Sequence, residues 1–117
     1  MNSGNQHPAS AQAYKSQKVL RRTINLAFMD LIRMKARTLF VSPFGLTMMS
    51  PLQIAKGKIC EIAFDIPLDG EVRKVNAVST TCECVCVGTE GFRTRLDFIQ
   101  IDTTSSRVIH DLMQYPY

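Results

Sequence analysis

Two apolar runs of this chain are joined by the stretch Val41-Ser42-Pro43-Phe44-Gly45-Leu46-Thr47-Met48, whose composition favours a tight turn. Pro43 has a fixed φ angle and Gly45 tolerates a positive one, so residues 42–45 are predicted to connect two strands. Such a turn leaves backbone N–H groups and the Ser42 hydroxyl available to an anion such as phosphate. A plain hairpin turn with a solvated serine explains the same residues. The stretch therefore predicts a hairpin and raises an anion site as a hypothesis.

The composition is that of a single globular domain. The chain has 117 residues, of which 45% are hydrophobic and 21% charged, enough for one modest core. Residues 1–13 are polar and lack periodicity, so we predict a disordered tail there and a domain over residues 14–114. The tail has neither the basic start nor the apolar stretch of a secretory signal, and no window is apolar enough to cross a bilayer. We therefore expect a cytoplasmic protein.

Positive charge is concentrated in the first third of the chain. The net charge is +4, with 14 basic residues against 10 acidic ones. A concentrated basic segment favours a phosphate-bearing partner, although a solvated face has the same composition. Long-chain nucleic acid is the weakest such partner, because the chain has no zinc-finger spacing, no tryptophan and no aromatic residues that alternate with the basic ones. The clustered basic residues are Lys15, Lys18, Arg21, Arg22, Arg33, Lys35 and Arg37.

Three of the four cysteines alternate along one segment. On a strand, Cys82, Cys84 and Cys86 would share a face, too far apart for easy pairing within the row. A zinc site would need Cys60 or the distant histidines to complete it. Reduced thiols packed as small apolar side chains are the better interpretation, so we predict no metal site.

Periodicity gives conflicting indications before residue 35. Apolar residues at helical spacing run from Leu20 to Met34, which favours an amphipathic helix. Apolar residues also alternate from Ile24 to Met34, interrupted at Asp30, which favours a strand. Periodicity alone slightly prefers the helix.

The rest of the chain favours short strands separated by turn residues. Turns are predicted at residues 67–70, which include the Asp-Gly hairpin signal, and at residues 88–91. Asp102 and the hydroxyl residues after it are capable of capping a final helix, whose apolar face includes Val108 and Leu112. Together these elements predict a mainly β barrel or sandwich with one end covered by the helix. The predicted strands are Arg37 to Ser42, Leu46 to Met49, Lys58 to Ile66, Val72 to Val78, Thr80 to Val87 and Phe92 to Ile99. The strand from Lys58 to Ile66 is expected to be half-buried, because its alternate residues share one apolar face that consists of Cys60, Ile62, Phe64 and Ile66.

Catalytic signatures are not found. The sequence contains no GxSxG, HExxH, GxxxxGK or dinucleotide-binding motif. His7 lies in the predicted tail, and His110 is expected on the polar face of the last helix. We therefore predict that the protein is not an enzyme.

From Lys15 to Met113 the chain resembles a PilZ domain, because a basic arm is followed by a strand, a Ser-x-x-Gly turn, further strands and a terminal helix. Members that bind cyclic di-GMP carry RxxxR in the arm and [D/N]xSxxG at the turn. The resemblance implies a mainly β fold, a six-stranded antiparallel PilZ-like barrel with a C-terminal helix. It also implies that Ile24 to Ile32 is a strand.

The motifs of this family are present in altered form. Phe40 stands where the turn motif has an acid or amide, while the serine and glycine remain. The segment from Lys18 to Arg22 has a lysine in place of the first arginine, and Arg95 replaces the glycine of a closing GxxF segment. A literal RxxxR occurs at residues 33–37, but it lies only a few residues before Ser42 and is therefore too close to the turn to serve as the arm motif. The resemblance implies that the ligand is bound by Lys18, Arg21, Arg22, Ser42 and Gly45.

Two functions compete on this basis. The first is a regulatory module that binds cyclic di-GMP, with affinity weakened by the altered motifs, and signals by reordering the arm. The second is an adaptor that binds no nucleotide and contacts a protein partner in motility, pilus or exopolysaccharide control. The apolar side chains near the turn are suited to such a contact, although core packing also explains them, Met48 above all: Phe40, Phe44, Met48 and Met49. A third hypothesis, that the chain is a basic barrel that binds RNA, is supported only by its positive charge. No cofactor is expected.

Overall fold

The computed structural model describes residues 17–115, so the predicted tail and the basic Lys15 lie outside the described residues. Most of the described chain is β-strand, and a short 3-10 turn spans Gly88–Glu90. The elements are β1 (Lys18–Val19), β2 (Thr23–Phe28), β3 (Arg33–Ser42), β4 (Gly45–Ser50), β5 (Ile59–Leu68), β6 (Glu71–Cys86), β7 (Phe92–Ile101) and a helix, α1 (Thr103–Met113).

Six strands form a closed antiparallel ring. The hydrogen-bonded order is β3-β2-β5-β6-β7-β4, and β4 pairs with β3 to complete it, while β1 pairs with β3 beyond the residues that pair with β2. Because all pairs are antiparallel, the connections gather at two ends. The helix end carries the turns after β3 and β5 together with α1, and the loop end carries residues 29–32, 51–58 and 87–91. The predicted six-stranded barrel with a C-terminal helix is confirmed.

Alternation along the strands builds the core. On β5, Cys60, Ile62, Phe64 and Ile66 are at most 3% exposed, whereas their neighbours in sequence are more exposed. Side chains of successive residues point to opposite faces of a strand, so the predicted inward face of β5 is confirmed. The other strands and α1 supply the remaining core residues, which include Ile24, Leu26, Met48, Val75, Leu96, Val108, Ile109 and Leu112.

Between the two alternatives left open before residue 35, the structure shows strands, so the helix that periodicity slightly preferred from Leu20 to Met34 is wrong. The segment forms β2, a turn at residues 29–32 and the start of β3, so the strand expected from Ile24 to Ile32 is shorter than the resemblance implied. Ile24 pairs with both Ala36 and Phe64, which places β2 between two strands. The helical spacing arose because the turn interrupts the alternation at Asp30. Hydrogen bonding to β3 and β5 overrode the local preference.

Two predicted strands after residue 70 are one element. β6 runs without a break for 16 residues, because register shifts after Val78 and after Thr81 absorb the irregular pattern. The second shift takes Cys82 out of line with Cys84. The Cys84 thiol contacts the Thr94 hydroxyl at 3.3 Å, while Cys82 lies beside Asp97 and Arg95. The cysteines therefore do not form the expected row.

The four thiols are free, and Cys60 is the buried one. Among residues 17–115 no group of three His, Cys, Asp or Glu side chains is arranged to hold a metal ion. His7 lies outside the described residues.

The turn predicted at residues 67–70 is shorter than expected. Residues 67 and 68 belong to β5, so the turn is confined to Asp69 and Gly70, both with positive φ.

The terminal helix begins where the sequence predicts it. Asp102 accepts a hydrogen bond from the Ser105 amide at 2.6 Å, and the Ser105 hydroxyl accepts one from the Asn76 amide of β6. Within residues 17–115 no helix is long and apolar enough to cross a membrane.

Candidate functional site

The turn between β3 and β4 satisfies its own polar groups. Ser42 is 5% exposed, and its hydroxyl donates to the Gly45 carbonyl at 3.3 Å and accepts from the Phe44 amide at 3.2 Å. The Phe44 carbonyl accepts from the Phe98 amide of β7. The serine is therefore neither solvated nor open to an anion. Phe44 lies at the tip and is 42% exposed.

Gly45 is required by packing and not by a positive φ. It pairs with Ser42 and Asp97, and an added Cβ atom would overlap the Leu96 carbonyl oxygen. Its φ is not among the positive ones in this chain, which contradicts the expectation drawn from the turn sequence. The Ser-x-x-Gly pattern thus holds β3, β4 and β7 together at the helix end.

The basic arm is attached to β3. Lys18 pairs with Val41 and Val19 with Phe40, which places β1 beside the turn. Further along, the Thr38 hydroxyl donates to the Leu20 carbonyl at 2.6 Å and accepts from the Arg22 amide at 2.8 Å. The backbone of residues 18–22 therefore follows β3.

The three predicted basic ligands occupy different positions along this attachment. The Lys18 ammonium donates to the carbonyl of Tyr115, just beyond α1, at 2.6 Å. Arg21 is exposed and Arg22 half-buried. The Arg22 backbone bonds to Thr38, which lies about 13 Å along the strand from Ser42 at the usual rise.

Lys18 is part of a contact between the two ends of the described chain. The Tyr115 hydroxyl bonds to the Asp69 carboxylate and accepts from the Asp69 amide at 2.9 Å. Tyr115 therefore links the arm to the turn between β5 and β6. We call Lys18, Asp69 and Tyr115 the arm clasp.

A cavity of about 320 Å³ lies beside the turn, and we call it the turn cavity. It brings together Ser42 and Gly45 of the predicted site, whereas Lys18, Arg21 and Arg22 are not among the described residues that line it. Its other side chains offer an aromatic surface, a cation and a carboxylate. The lining includes Gln17, Phe40, Phe44, Arg95, Asp97 and Phe98.

A smaller adjoining cavity of about 190 Å³ extends this surface along β7. It shares Gln17, Phe40 and Arg95 with the turn cavity and adds Arg93 and Glu83. Sequence reasoning missed both arginines as site residues. The available signal was their alternation on a strand, which places two guanidinium groups on one face.

The Cys82 thiol stands close to this charged face. Burial raises the pKa of Cys82, and the Asp97 carboxylate raises it further, while the Arg95 guanidinium lowers it. The thiol therefore stays protonated at neutral pH and contributes no charge to the site.

A concavity larger than the turn cavity lies elsewhere on the described residues, on the outer face of β2, β5 and β6. It has a volume of about 710 Å³ and a floor that includes Ala27 and Ala63, with Lys35 and Glu61 among its charged residues. None of the five predicted site residues lines it. We therefore take the turn cavity as the candidate site.

Comparison with known proteins gives matches at the level of structure. No family model matches the sequence, and no curated protein matches it. The structure of the inhibitor of motility MotI/DgrA from Bacillus subtilis superposes with a TM-score of 0.74 at 9% identity, over 84% of this chain and 47% of that one. The chain thus spans about half the length of that protein.

A second neighbour is the PilZ domain of CeSA from a cellulose-synthesizing bacterium. It matches with a TM-score of 0.52 at 14% identity, over 82% of this chain and 96% of the domain. At such low identities the likeness concerns the path of the chain and not the side chains of the site. Together with the closed ring of six strands and the helix that follows it, these matches show that the chain has a PilZ-like fold.

Proposed function

We propose that this chain is a regulatory domain of PilZ type that binds cyclic di-GMP in the turn cavity. The observation that carries the proposal is the meeting of the arm, the Ser-x-x-Gly turn and the cationic face of β7 around one open cavity. In proteins that the sequence resembles, the arm and this turn are the elements that hold the nucleotide. The same elements adjoin the cavity here.

The chemistry of the cavity suits a guanine nucleotide. Cyclic di-GMP presents two phosphates and two guanine bases, so a receptor benefits from guanidinium groups and aromatic faces. Arg95 and Phe44 supply one of each in the cavity, and Arg93 adds a second cation beside it. Arg21 and Arg22 of the arm are the additional cations for a ligand that extends beyond the cavity.

The altered motifs lower the expected affinity. Phe40 removes a polar interaction with a base edge, and lysine at position 18 supplies a charge without a planar group. Removing one charge-assisted hydrogen bond costs about 1.5–3 kcal/mol, or roughly tenfold or more in affinity. We therefore expect this chain to bind cyclic di-GMP more weakly than a domain with complete motifs does.

The arm clasp offers a route for the signal. The Lys18 ammonium bonds to the Tyr115 carbonyl, so a ligand phosphate that attracts Lys18 competes with this bond. Binding would then release the end of α1 from the arm. A change in order at these two segments is a means of exposing or hiding a partner surface.

Isothermal titration calorimetry with cyclic di-GMP at low salt tests the proposal. We expect saturable heat with the parent chain and at least about tenfold weaker binding after Arg95→Ala or Arg22→Ala. Arg107→Ala is the matched control, because Arg107 is an exposed cation on α1 that does not line the cavity. The absence of heat from the folded parent chain would refute nucleotide binding. Unchanged binding by both the cavity and the arm variants would refute binding in the turn cavity.

The second candidate is an adaptor that works through protein contacts without nucleotide. It is favoured by the internal hydrogen bonds of Ser42 and by the exposed Phe44 at the tip of the turn. A motility, pilus or exopolysaccharide protein is the expected class of partner. Affinity capture should then recover the same partner with and without cyclic di-GMP and lose it after Phe44→Ser, while Val72→Ser at another exposed apolar position retains it.

A further inference from the structure

The loop end of the barrel carries an exposed apolar tip. Met29 is 80% exposed, Leu31 87% and Ile32 55%, all in the connection between β2 and β3 or at its edge. Ile59 is 44% exposed, and because Phe28 pairs with Cys60, it lies next to Met29 across the strands. Exposed apolar side chains gathered in one place mark an interaction surface. We call these four residues the apolar tip.

Leu31 is held outward by its backbone. Its φ is 71°, a left-handed conformation that glycine or asparagine adopts at lower cost. The connection is closed by hydrogen bonds from the Leu31 amide to the Phe28 carbonyl and from the Phe28 amide to the Ile32 carbonyl. The leucine side chain therefore projects from a constrained turn and not from a flexible loop.

Three exposed cations lie at the loop end, in the neighbouring loop or next to the apolar tip. Arg33 begins β3 directly after it, and Lys56 and Lys58 lie in the neighbouring loop before β5, all three exposed. The Lys58 ammonium is 3.9 Å from the Asp30 carboxylate, which places the two loops side by side. Asp30 lies between Met29 and Leu31 and carries one negative charge against these three cations, so the summed charge of the four side chains is positive. Apolar side chains flanked by basic ones match the acyl boundary and the headgroups of an anionic bilayer.

We propose that the apolar tip inserts into the surface of an anionic membrane while Arg33, Lys56 and Lys58 contact its headgroups. A second copy is a poorer occupant, because two tips facing each other would oppose like charges. A protein pocket requires shape complementarity, whereas side chains that are 80% and 87% exposed on a tip suit a fluid apolar medium. The tip lies at the end of the barrel opposite the turn cavity, so this inference does not rest on the proposed nucleotide site.

Vesicle sedimentation with the full chain tests the inference. We expect binding to phosphatidylcholine vesicles that contain phosphatidylglycerol, little binding to phosphatidylcholine alone, and weakening as salt shortens the Debye length. Leu31→Gly removes the side chain at a position where glycine is relieved of strain, so the variant should remain folded and bind about tenfold more weakly. Val72→Ser removes an apolar side chain that is 63% exposed near the helix end and should bind as the parent does.

Tryptophan fluorescence locates the contact, because the parent chain contains no tryptophan. Leu31→Trp should show a blue-shifted emission and quenching by brominated lipid when anionic vesicles are added, whereas Val72→Trp should show neither. Failure of the parent chain to bind phosphatidylglycerol vesicles, or equal binding by Leu31→Gly, would overturn the inference. The parent chain could instead fail to bind vesicles and dimerise in a concentration-dependent way that Leu31→Gly abolishes. The partner of the apolar tip would then be a second copy of the chain and not a membrane.

Discussion

At Gly45 the backbone of β4 runs so close to β7 that a methyl group has no space. The nearest atom to an added Cβ is the Leu96 carbonyl oxygen, which belongs to the backbone and cannot rotate away. Ser42, three residues earlier, uses its hydroxyl within the same turn. Both residues of the recognised motif therefore have a structural role whether or not a ligand is bound.

Gly45→Ala should destabilise the fold by about 3 kcal/mol or more, because the β4–β7 pair must separate to admit the methyl group. Urea unfolding monitored by circular dichroism measures this change. Gly57→Ala is the control: Gly57 has a φ of +86° but nothing within 4 Å of an added Cβ, so only the backbone cost of about 1 kcal/mol applies. Equal losses of stability at both positions would contradict a packing role for Gly45.

Among the elements, the basic arm depends on one buried hydroxyl. Thr38 is fully buried, and its hydroxyl satisfies the Leu20 carbonyl and the Arg22 amide where the arm leaves the regular pairing of β1. The arm that carries the predicted ligands is thus attached through a residue of β3 that no sequence motif contains.

Thr38→Val keeps the shape of the side chain but leaves two backbone groups without their partner, so we expect a loss of about 2 kcal/mol in stability. Hydrogen exchange should also accelerate at the Leu20 and Arg22 amides more than in β5. The matched control is Thr23→Val, an exposed threonine of β2, which should change neither quantity appreciably. Unchanged exchange in the arm of the Thr38 variant would show that other interactions hold it.

The terminal helix depends in a similar way on the residue that precedes it. Asp102→Ala removes the side chain that accepts from the Ser105 amide and should cost about 1 kcal/mol. Thr103→Ala, an exposed neighbour within the helix, should cost less. Thermal unfolding of the two variants compares them, and a larger destabilisation of the Thr103 variant would rule out capping by Asp102.

For the whole molecule, closure of the ring determines what is buried. Cys60 on β5 lies inside the barrel at 1% exposure, and burial raises the pKa of its thiol, although a hydrogen bond with Ser79 lowers it. The folded state therefore holds this proton more tightly than the unfolded chain does. The stability that results is complete below the pKa of the unfolded thiol, about 8.5, and is lost as pH rises towards the higher pKa of the folded state.

We expect the free energy of unfolding to fall as pH increases above about 8.5, measured by urea titration at a series of pH values under reducing conditions. Cys60→Val, which has no titrating group, should weaken this decline, leaving the part due to the raised pKa of Cys82. A free energy of unfolding that stays level or rises over this range would contradict the burial of a protonated thiol.

Prediction from the sequence succeeded where neighbouring residues decide the structure. The alternation on β5, the Asp-Gly turn and the Asp102 cap depend on residues within a few positions of one another, and all three are present. The same local reasoning was wrong for residues 20–34, because a helical spacing and an interrupted strand are alike until the partner strands are known. The relative positions of the five predicted ligands depend on the same strand pairing, so the sequence did not show that only Ser42 and Gly45 of the five line the turn cavity.

The sequence by itself determined the mainly β class, the order of turns and the final helix, since hydrophobic alternation, turn residues and caps act over short distances along the chain. Only the tertiary structure decided that Gly45 faces Leu96, that Lys18 bonds to Tyr115 and that Arg95 lines the turn cavity. These residues lie far apart in sequence, up to 97 positions for Lys18 and Tyr115. Their contacts exist because the ring of strands closes, and closure is a property of all six strands together.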